Sequence, residues 1–466
     1  MHPFTYYSDK SRAQRKKRNL PREAIKNPSI SEDSIDSASL DSNEESSLMT
    51  VLLSKSGHYV VWNGQNVDLL VETCLKAITK FESHEIASRR KEDNWKQEFG
   101  VNSWSSDSFA VSSPLNSKEI ELLSECIPHN KYWTELQLKF NHDGLIMNLF
   151  MNLGENMALC ESLVSLDLGG QNLSDDVISN LAIGLSHRRS RSLRKINLCK
   201  NDITNEGVKV LFEVLQVIPV ENLNLSFNNF DDIGSTWISA SLEHTSLTTL
   251  NISNNQFVFI NTESIMDSKV TTLYVGYTGC LKGDKYMESL TAGKLKSLSV
   301  ETCNVSELGI HHLETNSVLQ ELDLSENTLL QSHSTMACLS KSLSVGATSL
   351  CVLRLNGIPL NGTGVFAMLV AGILGGARLK ELYIRTCSLN SDVFNVAGPL
   401  IFQISTLDVS GNPLGRCGVE QLHGVLVQAQ KYFELSASNC GVQNEAVCNL
   451  FANIPTVSLW GMDLQF

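Results

Sequence analysis

The stretch LRKINLCKNDI (residues 193–203) is followed by TNEGVKVLFEVL from Thr204 and then, at Val220, by a second version of itself, VENLNLSFNNF. Both read LxxLxLxxNxL. LTTLNISNNQF from Leu247, LQELDLSENTL from Leu319 and ISTLDVSGNPL from Ile404 restate the phrase, and weaker copies begin at Trp133, Leu163, Val270, Leu295, Leu350, Leu379, Tyr432 and Ile454. The thirteen starts lie 22 to 31 residues apart. Self-similarity at such a period marks an array of stacked units and excludes a set of unrelated domains over residues 133–466.

Each position of the phrase has a physical task. In LxL the side chains alternate across a short strand, so the leucines enter the core and the residues between and beside them face outward. The ninth position is occupied by Asn141, Asn201, Asn228, Asn255, Asn327 and Asn412. It sits where the chain leaves the strand, and an amide there satisfies backbone groups that burial would leave unpaired. Cys303, Cys387 and Cys440 hold the same slot in other copies, where a small thiol tolerates burial. These cysteines read as packing residues, and Thr278, Ile358 and Met462 break the rule. After the turn, apolar residues recur at helical spacing, as with Val208, Leu211, Phe212 and Leu215, and Ser174 and Thr204 read as N-caps.

On these residues the chain resembles the leucine-rich repeat proteins, and in its Asn/Cys ninth position and helical return it is similar to the ribonuclease-inhibitor-like class also found in NOD-like receptors. The resemblance implies an α/β solenoid, a horseshoe of about thirteen repeats with a parallel concave sheet and a helical convex side. Copies from Val270 to Leu319 follow one another too closely for a full helix each. At about 4.8 Å per strand the inner surface runs on the order of 60 Å along the arc, which suits a protein partner better than a small molecule.

The regions before the array read differently. Residues 1–48 are expected to be a disordered tail, basic at first and then acidic and serine-rich, with six acids and seven serines over residues 31–47. RAQRKKR (residues 12–18) is either a solvated tail segment or a nuclear-import signal. Residues 49–131 combine a strand-like MTVLLSKSGHYVVW, an amphipathic VDLLVETCLKAITKF and a helical KEIELLSECI. They are read as a mixed capping region for the solenoid of residues 132–466, with a separate recognition module as the alternative. At the other end, VSLWGMDLQF either folds back as a cap or offers a surface for a partner or for self-association.

A net charge of -13 over 466 residues argues against nucleic acid as the partner, and the longest apolar stretch, GVFAMLVAGILGG from Gly364, is too short for membrane insertion. Twelve scattered cysteines without a CxxC pair, and no signal peptide, are expected of reduced thiols in a cytoplasmic protein. The nucleus is the alternative location, as are the cilia and centrosomes in which, by the resemblance, other stand-alone chains of this class occur. There is no GxxxxGK[ST], GxSxG or HExxH, so neither an enzyme nor a cofactor is expected, and the neighbours His311 and His312 read as ordinary residues.

Function is therefore expected at the outward strand positions. In consecutive copies these include Asp323, Arg354, Tyr383 and Asp408, with Arg385 two residues past Tyr383 and Glu321 and Glu381 alongside. Tyr274, Tyr277, Phe227 and Trp460 add aromatic area. One reading is an internal ladder of exposed charge pairs worth less than about 1 kcal/mol each. The other is a protein-binding patch on the concave face, because Tyr and Arg dominate interface hot spots. The expected function is a non-enzymatic scaffold or adaptor. The class also contains the Ran GTPase-activating protein, so a GTPase activator with Arg416 as its unusual loop residue is the alternative, beside an innate-sensing or inhibitor-type regulator.

Overall fold

The computed structural model describes residues 50–54, 57–62, 108–111 and 114–461, apart from 130–132, 142–146, 188–189, 279–281, 361–362 and 430. They belong to one compact unit, Ser47–Phe466. The tail expected over residues 1–48, the helix expected over residues 67–81, and Met462 lie outside the described residues.

Among the described residues the strands form one sheet of sixteen in strict sequence order. The first two, Thr50–Ser54 and Gly57–Trp62, pair antiparallel within the strand-like MTVLLSKSGHYVVW segment. Every later pairing is parallel, starting with Gly57–Trp62 on Ser108–Val111. The thirteen phrases account for the strands from Glu135–Gln137 to Val457–Leu459. One further unit precedes them: Ser108–Val111, then Leu115 bridged to Phe140, then the helix Ser117–Cys126, whose Ile120 and Leu123 join the same core. Sequence reading missed it because SFAVSSPL carries neither the leucine pair nor the ninth-position amide.

Within a coil the phrase folds as its pattern demands. Lys195–Asn197 is the strand of one coil, with Ile196 and Leu198 buried, and its return helix Asn205–Leu215 buries Val208, Leu211, Phe212 and Leu215. A continuous aliphatic filling results, because the eleventh-position residues Leu173, Ile203, Phe230 and Phe257 stack coil on coil, the last two with their rings 5.5 Å apart and parallel within 2°. The return helices are long at first, shrink to Thr262–Asp267, Gly283–Glu288 and Glu307–Ile310 in the closely spaced copies, and lengthen again at His333–Val345 and Thr363–Gly375. The last of these helices takes up most of the long apolar stretch.

The ninth position is the hinge of every coil. Asn201 Nδ2 donates to Leu168 O and Leu198 O, each at 3.0 Å, while its Oδ1 accepts from Leu173 N at 3.0 Å, so one amide ties two coils together. Asn228, Asn327 and Asn412 repeat the arrangement. Asn255 keeps its donor bonds, with Oδ1 unpartnered among the described residues. Gln171 occupies the slot in the copy from Leu163 and serves with its longer side chain, donating to Leu138 O at 2.6 Å and accepting from Phe140 N at 2.9 Å. Asn141 differs from the others of the ladder in being exposed.

The cysteine coils solve the same problem by a different turn. Cys387 Sγ reaches Leu355 O at 3.1 Å and Cys440 Sγ reaches Val409 O at 3.3 Å, replacing the amide's donor. Burial pushes these thiols up to about 12 and about 11, so both remain protonated donors at neutral pH. A thiol offers little as an acceptor, and here the backbone carbonyl takes over: Leu360 N donates to Cys387 O at 2.9 Å. Exposing that carbonyl requires a left-handed tenth residue, and Ser388 (φ 56°), Asn304 (φ 56°) and Gly441 (φ 76°) follow Cys387, Cys303 and Cys440. The eighth position is left-handed in both kinds of coil, from Lys200 and Phe227 to Tyr277, Glu326 and Thr386. This conformation aims those side chains away from the core.

One expected cap is reassigned. Thr204 stands at the N-cap, but its hydroxyl donates to Asp175 Oδ2 of the previous coil at 2.5 Å and does not cap its own helix. Caps of the usual kind come from Asp231 and Ser306, which accept from Ile233 N and Leu308 N.

The ninth-position bonds carry a stability consequence. Asn327→Ala strands Leu324 O and Val305 N, while Val300 O keeps Cys303 N, and at about 1–3 kcal/mol per buried group left unpaired the variant is expected to lose at least about 2 kcal/mol of unfolding free energy. Glu213→Ala, at an exposed helix position, is expected to change it by less than about 0.5 kcal/mol. Urea denaturation of both variants beside the parent measures the difference, and equal losses would refute this role of the ninth position.

Candidate functional site

The strand register aligns the residue between the two leucines into a column running along the sheet. Asp167, Asn197, Asn224, Asn251, Tyr274, Ser299, Asp323, Arg354, Tyr383, Asp408 and Ser436 are successive partners in it. The first coils of the column are engaged with themselves: Asn197 Nδ2 donates to Asp167 Oδ1 at 2.9 Å, and Asn224 and Asn251 accept from Ser226 and Ser253. Phe227 lies half-exposed beside this stretch with Lys200 Nζ 5.6 Å from its ring centre. It is two coils from Tyr277, about 10 Å along the row.

The middle of the face is acidic. Tyr277, exposed on its left-handed eighth position, hydrogen-bonds Glu301, with Asp323 and Glu326 close by. Burial, and then the neighbouring carboxylate, hold the Tyr277 phenol well above its ordinary range. Glu301 is raised as well, first by burial and also by Asp323 and Glu326, against the opposing pull of the Tyr277 hydroxyl. Glu321 accepts from Ser297 Oγ at 3.3 Å, and Tyr274 is half-buried in the column.

The last coils gather the remaining expected residues. Arg354 lies 4.8 Å over the Tyr383 ring, a cation–π distance, and the Tyr383 hydroxyl donates to Glu381 Oε2 at 2.8 Å. Burial first, then that carboxylate, push the phenol up to about 12. On its other side Tyr383 meets Trp460, ring centres 6.3 Å apart and inclined at 67°. These two rings come from coils three strands apart, and between them the column holds only Asp408 and Ser436.

Asp408 was expected as an accessible charge, and the structure corrects this: it projects from the strand face but its side chain is 1% exposed. Asp408 Oδ1 accepts from Ser410 N at 3.0 Å, and Oδ2 lies 3.4 Å from Nε of Arg385, which is 54% exposed. The Arg385 head group thus joins a buried acid to solvent. Trp460, with its Nε1 buried, turns inward onto Tyr383. Sequence reading had no signal for that packing, because it depends on the small side chains of intervening coils.

Arg416 is not a loop residue. It is the second residue of the helix Gly415–Ala429, 87% exposed, and pairs with Glu420 Oε1 at 2.7 Å one turn on. Among the described residues no helix is long and apolar enough to cross a membrane.

This geometry, thirteen in-register strand phrases of which eight close their turn on a buried Asn or Cys, defines a leucine-rich repeat protein. Residues 189–212 and 246–268 each match a leucine-rich repeat family profile. The chain is 24% identical to the mouse (Mus musculus) ribonuclease inhibitor over 71% of its own length and 76% of that protein's, and its repeats are of the ribonuclease-inhibitor-like class. Among solved structures it is similar to a chain in the yeast Rad7–Elc1 complex, at 14% identity, covering 86% of this chain and 98% of that one with a TM-score of 0.44.

The raised Glu301 carboxyl makes a pH prediction. Its folded pKa lies above its unfolded one, so the native state binds more protons in that window, and the group's contribution is full at low pH and lost as pH rises through the folded value. Glu301→Gln is therefore expected to unfold at a higher temperature than the parent near neutral pH, with the gap closing towards about pH 4, the ordinary glutamate range. A melting series over that interval tests this; a gap that widens on acidification would contradict it.

Proposed function

We propose that this protein is a non-enzymatic scaffold or adaptor that binds a protein partner on its concave face, with Tyr383, Arg354, Arg385 and Trp460 at the centre of the contact. The observation that carries the reading is the Tyr383 ring held between Arg354 and Trp460 above a covered Asp408. Aromatic and arginine side chains pre-positioned by their neighbours lose little freedom on binding, which is what makes such groups hot spots. The acidic surface around Tyr277, Glu301 and Asp323 continues the patch and favours a partner presenting Lys or Arg beside an apolar anchor. The mouse relative is by its name an inhibitor of an enzyme, and a protein partner is carried over to this chain on that likeness. A cytoplasmic location is part of the proposal, supported by nine free cysteines among the described residues.

Affinity capture followed by interface cross-linking, with the full chain and with the double variant Tyr383→Ala/Arg385→Glu, tests the reading. A hot-spot pair is worth at least about 2 kcal/mol, so the captured partner is expected to bind the variant at least about thirtyfold more weakly, while the variant still unfolds in a cooperative thermal transition. Identical partner sets at identical affinity would remove the concave patch as the binding site.

A further inference from the structure

On the helical side of the sheet, the short helix Glu307–Ile310 continues into the tight turn His311–Thr315, and the helix His333–Val345 of the next coil packs beside it. Glu307 and His311, four residues apart, lie on one face of that turn, and Cys338 reaches towards them from the neighbouring helix. Cys338 Sγ is 3.6 Å from His311 Nε2, and donor atoms of Glu307, His311 and Cys338 all lie within 4.8 Å of one another. Glu307 and His311 are exposed, whereas Cys338 is buried, so the group has one open side.

Zinc–sulfur and zinc–nitrogen bonds of about 2.3 and 2.0 Å at a tetrahedral angle place the two ligand atoms about 3.5 Å apart, close to the distance found. Cys338 Sγ also lies 3.7 Å from His311 Nδ1, so binding through Nε2 requires the exposed imidazole to turn its Nε2 edge towards the metal. The outer contacts agree with this. His311 Nδ1 lies 3.2 Å from Glu314 Oε1, and that carboxylate is held in turn by Lys341 Nζ at 3.1 Å. A carboxylate accepting the Nδ1 proton fixes the tautomer that leaves the Nε2 lone pair free for a metal. One thiolate, one imidazole and one carboxylate form a borderline-soft set that selects zinc over magnesium or calcium.

We propose that Glu307, His311 and Cys338 form a zinc site with three protein ligands and a water, which clips two successive coils together on the side away from the concave face. The sequence reading of His311 as an ordinary residue could not reveal this, because the thiol arrives from the following repeat.

The test uses the full chain freed of metal with a chelator, titrated with Co2+ alone and then with Zn2+. The parent is expected to show one equivalent of Co2+ with a thiolate-to-cobalt charge-transfer band and tetrahedral d–d bands, both abolished by Zn2+, and a higher melting temperature with Zn2+. His311→Ala, an exposed position that leaves the core intact, and Cys338→Ser are expected to lose the band and the melting shift. Glu314→Gln should retain the band with affinity lowered about 10- to 100-fold. His312→Ala and Cys417→Ser serve as controls and should behave as the parent does. Absence of the band in the parent, or a band of equal strength in His311→Ala, would overturn the proposal.

Discussion

A buried backbone cannot turn without partners for its amides and carbonyls, and the whole solenoid depends on how that requirement is met at the ninth position of each coil. An asparagine there supplies donors and an acceptor at once and spends them across the joint between neighbours, so the bond that closes one turn also fixes the register of the next. A cysteine supplies only the donor. The acceptor then comes from the main chain, at the expense of a second left-handed residue. Two chemistries therefore produce one geometry, and coils that carry either remain in register despite their different lengths.

How much of this was legible follows from where the information resides. The leucine spacing is local, so the number of phrases, the parallel sheet and the aliphatic filling could be read directly. The shortened helices were equally readable, since a closely spaced copy leaves no room for more. Gln171 was invisible because the pattern names an amide of one length, and the longer one does the same work with the chain displaced. The unit preceding Trp133 was hidden because Leu115 is the chief trace of the phrase there. Asn141 shows the converse, a correct consensus residue left at the surface.

The concave face was legible in composition and only partly in geometry. Alternation predicts which side chains leave the sheet. It does not predict which of them then cover one another. Asp408 became buried because Tyr383 and Trp460, the large residues of its column, lean together over the small ones between them, with Arg385 completing the cover. A buried carboxylate with one imperfect ion pair is an expensive arrangement, stable only while its neighbours remain in place. Such a group also makes the patch discriminating, since a partner that displaces Arg385 without replacing its charge would leave the acid unpaired.

The helical side obeys a different constraint. Strands stack at about 4.8 Å and helices at about 8–10 Å, and that mismatch bends a repeat sheet towards its strands. Where the return segments shrink to Thr262–Asp267, Gly283–Glu288 and Glu307–Ile310, the wedge is thinner, and each coil has less apolar surface with which to hold the next. The transition back to a full helix at His333–Val345 is the joint where this deficit meets a bulky neighbour. At that joint Cys338 approaches His311, and Lys341 pairs with Glu314, so polar contacts lie beside the apolar ones between these two coils. Stabilisation in a solenoid is a sum of nearest-neighbour terms, so a tie between two successive coils adds to the term of that joint. A link there stiffens the convex side and leaves Asp323, the outward strand position of the second of the two coils, on the opposite face of the sheet.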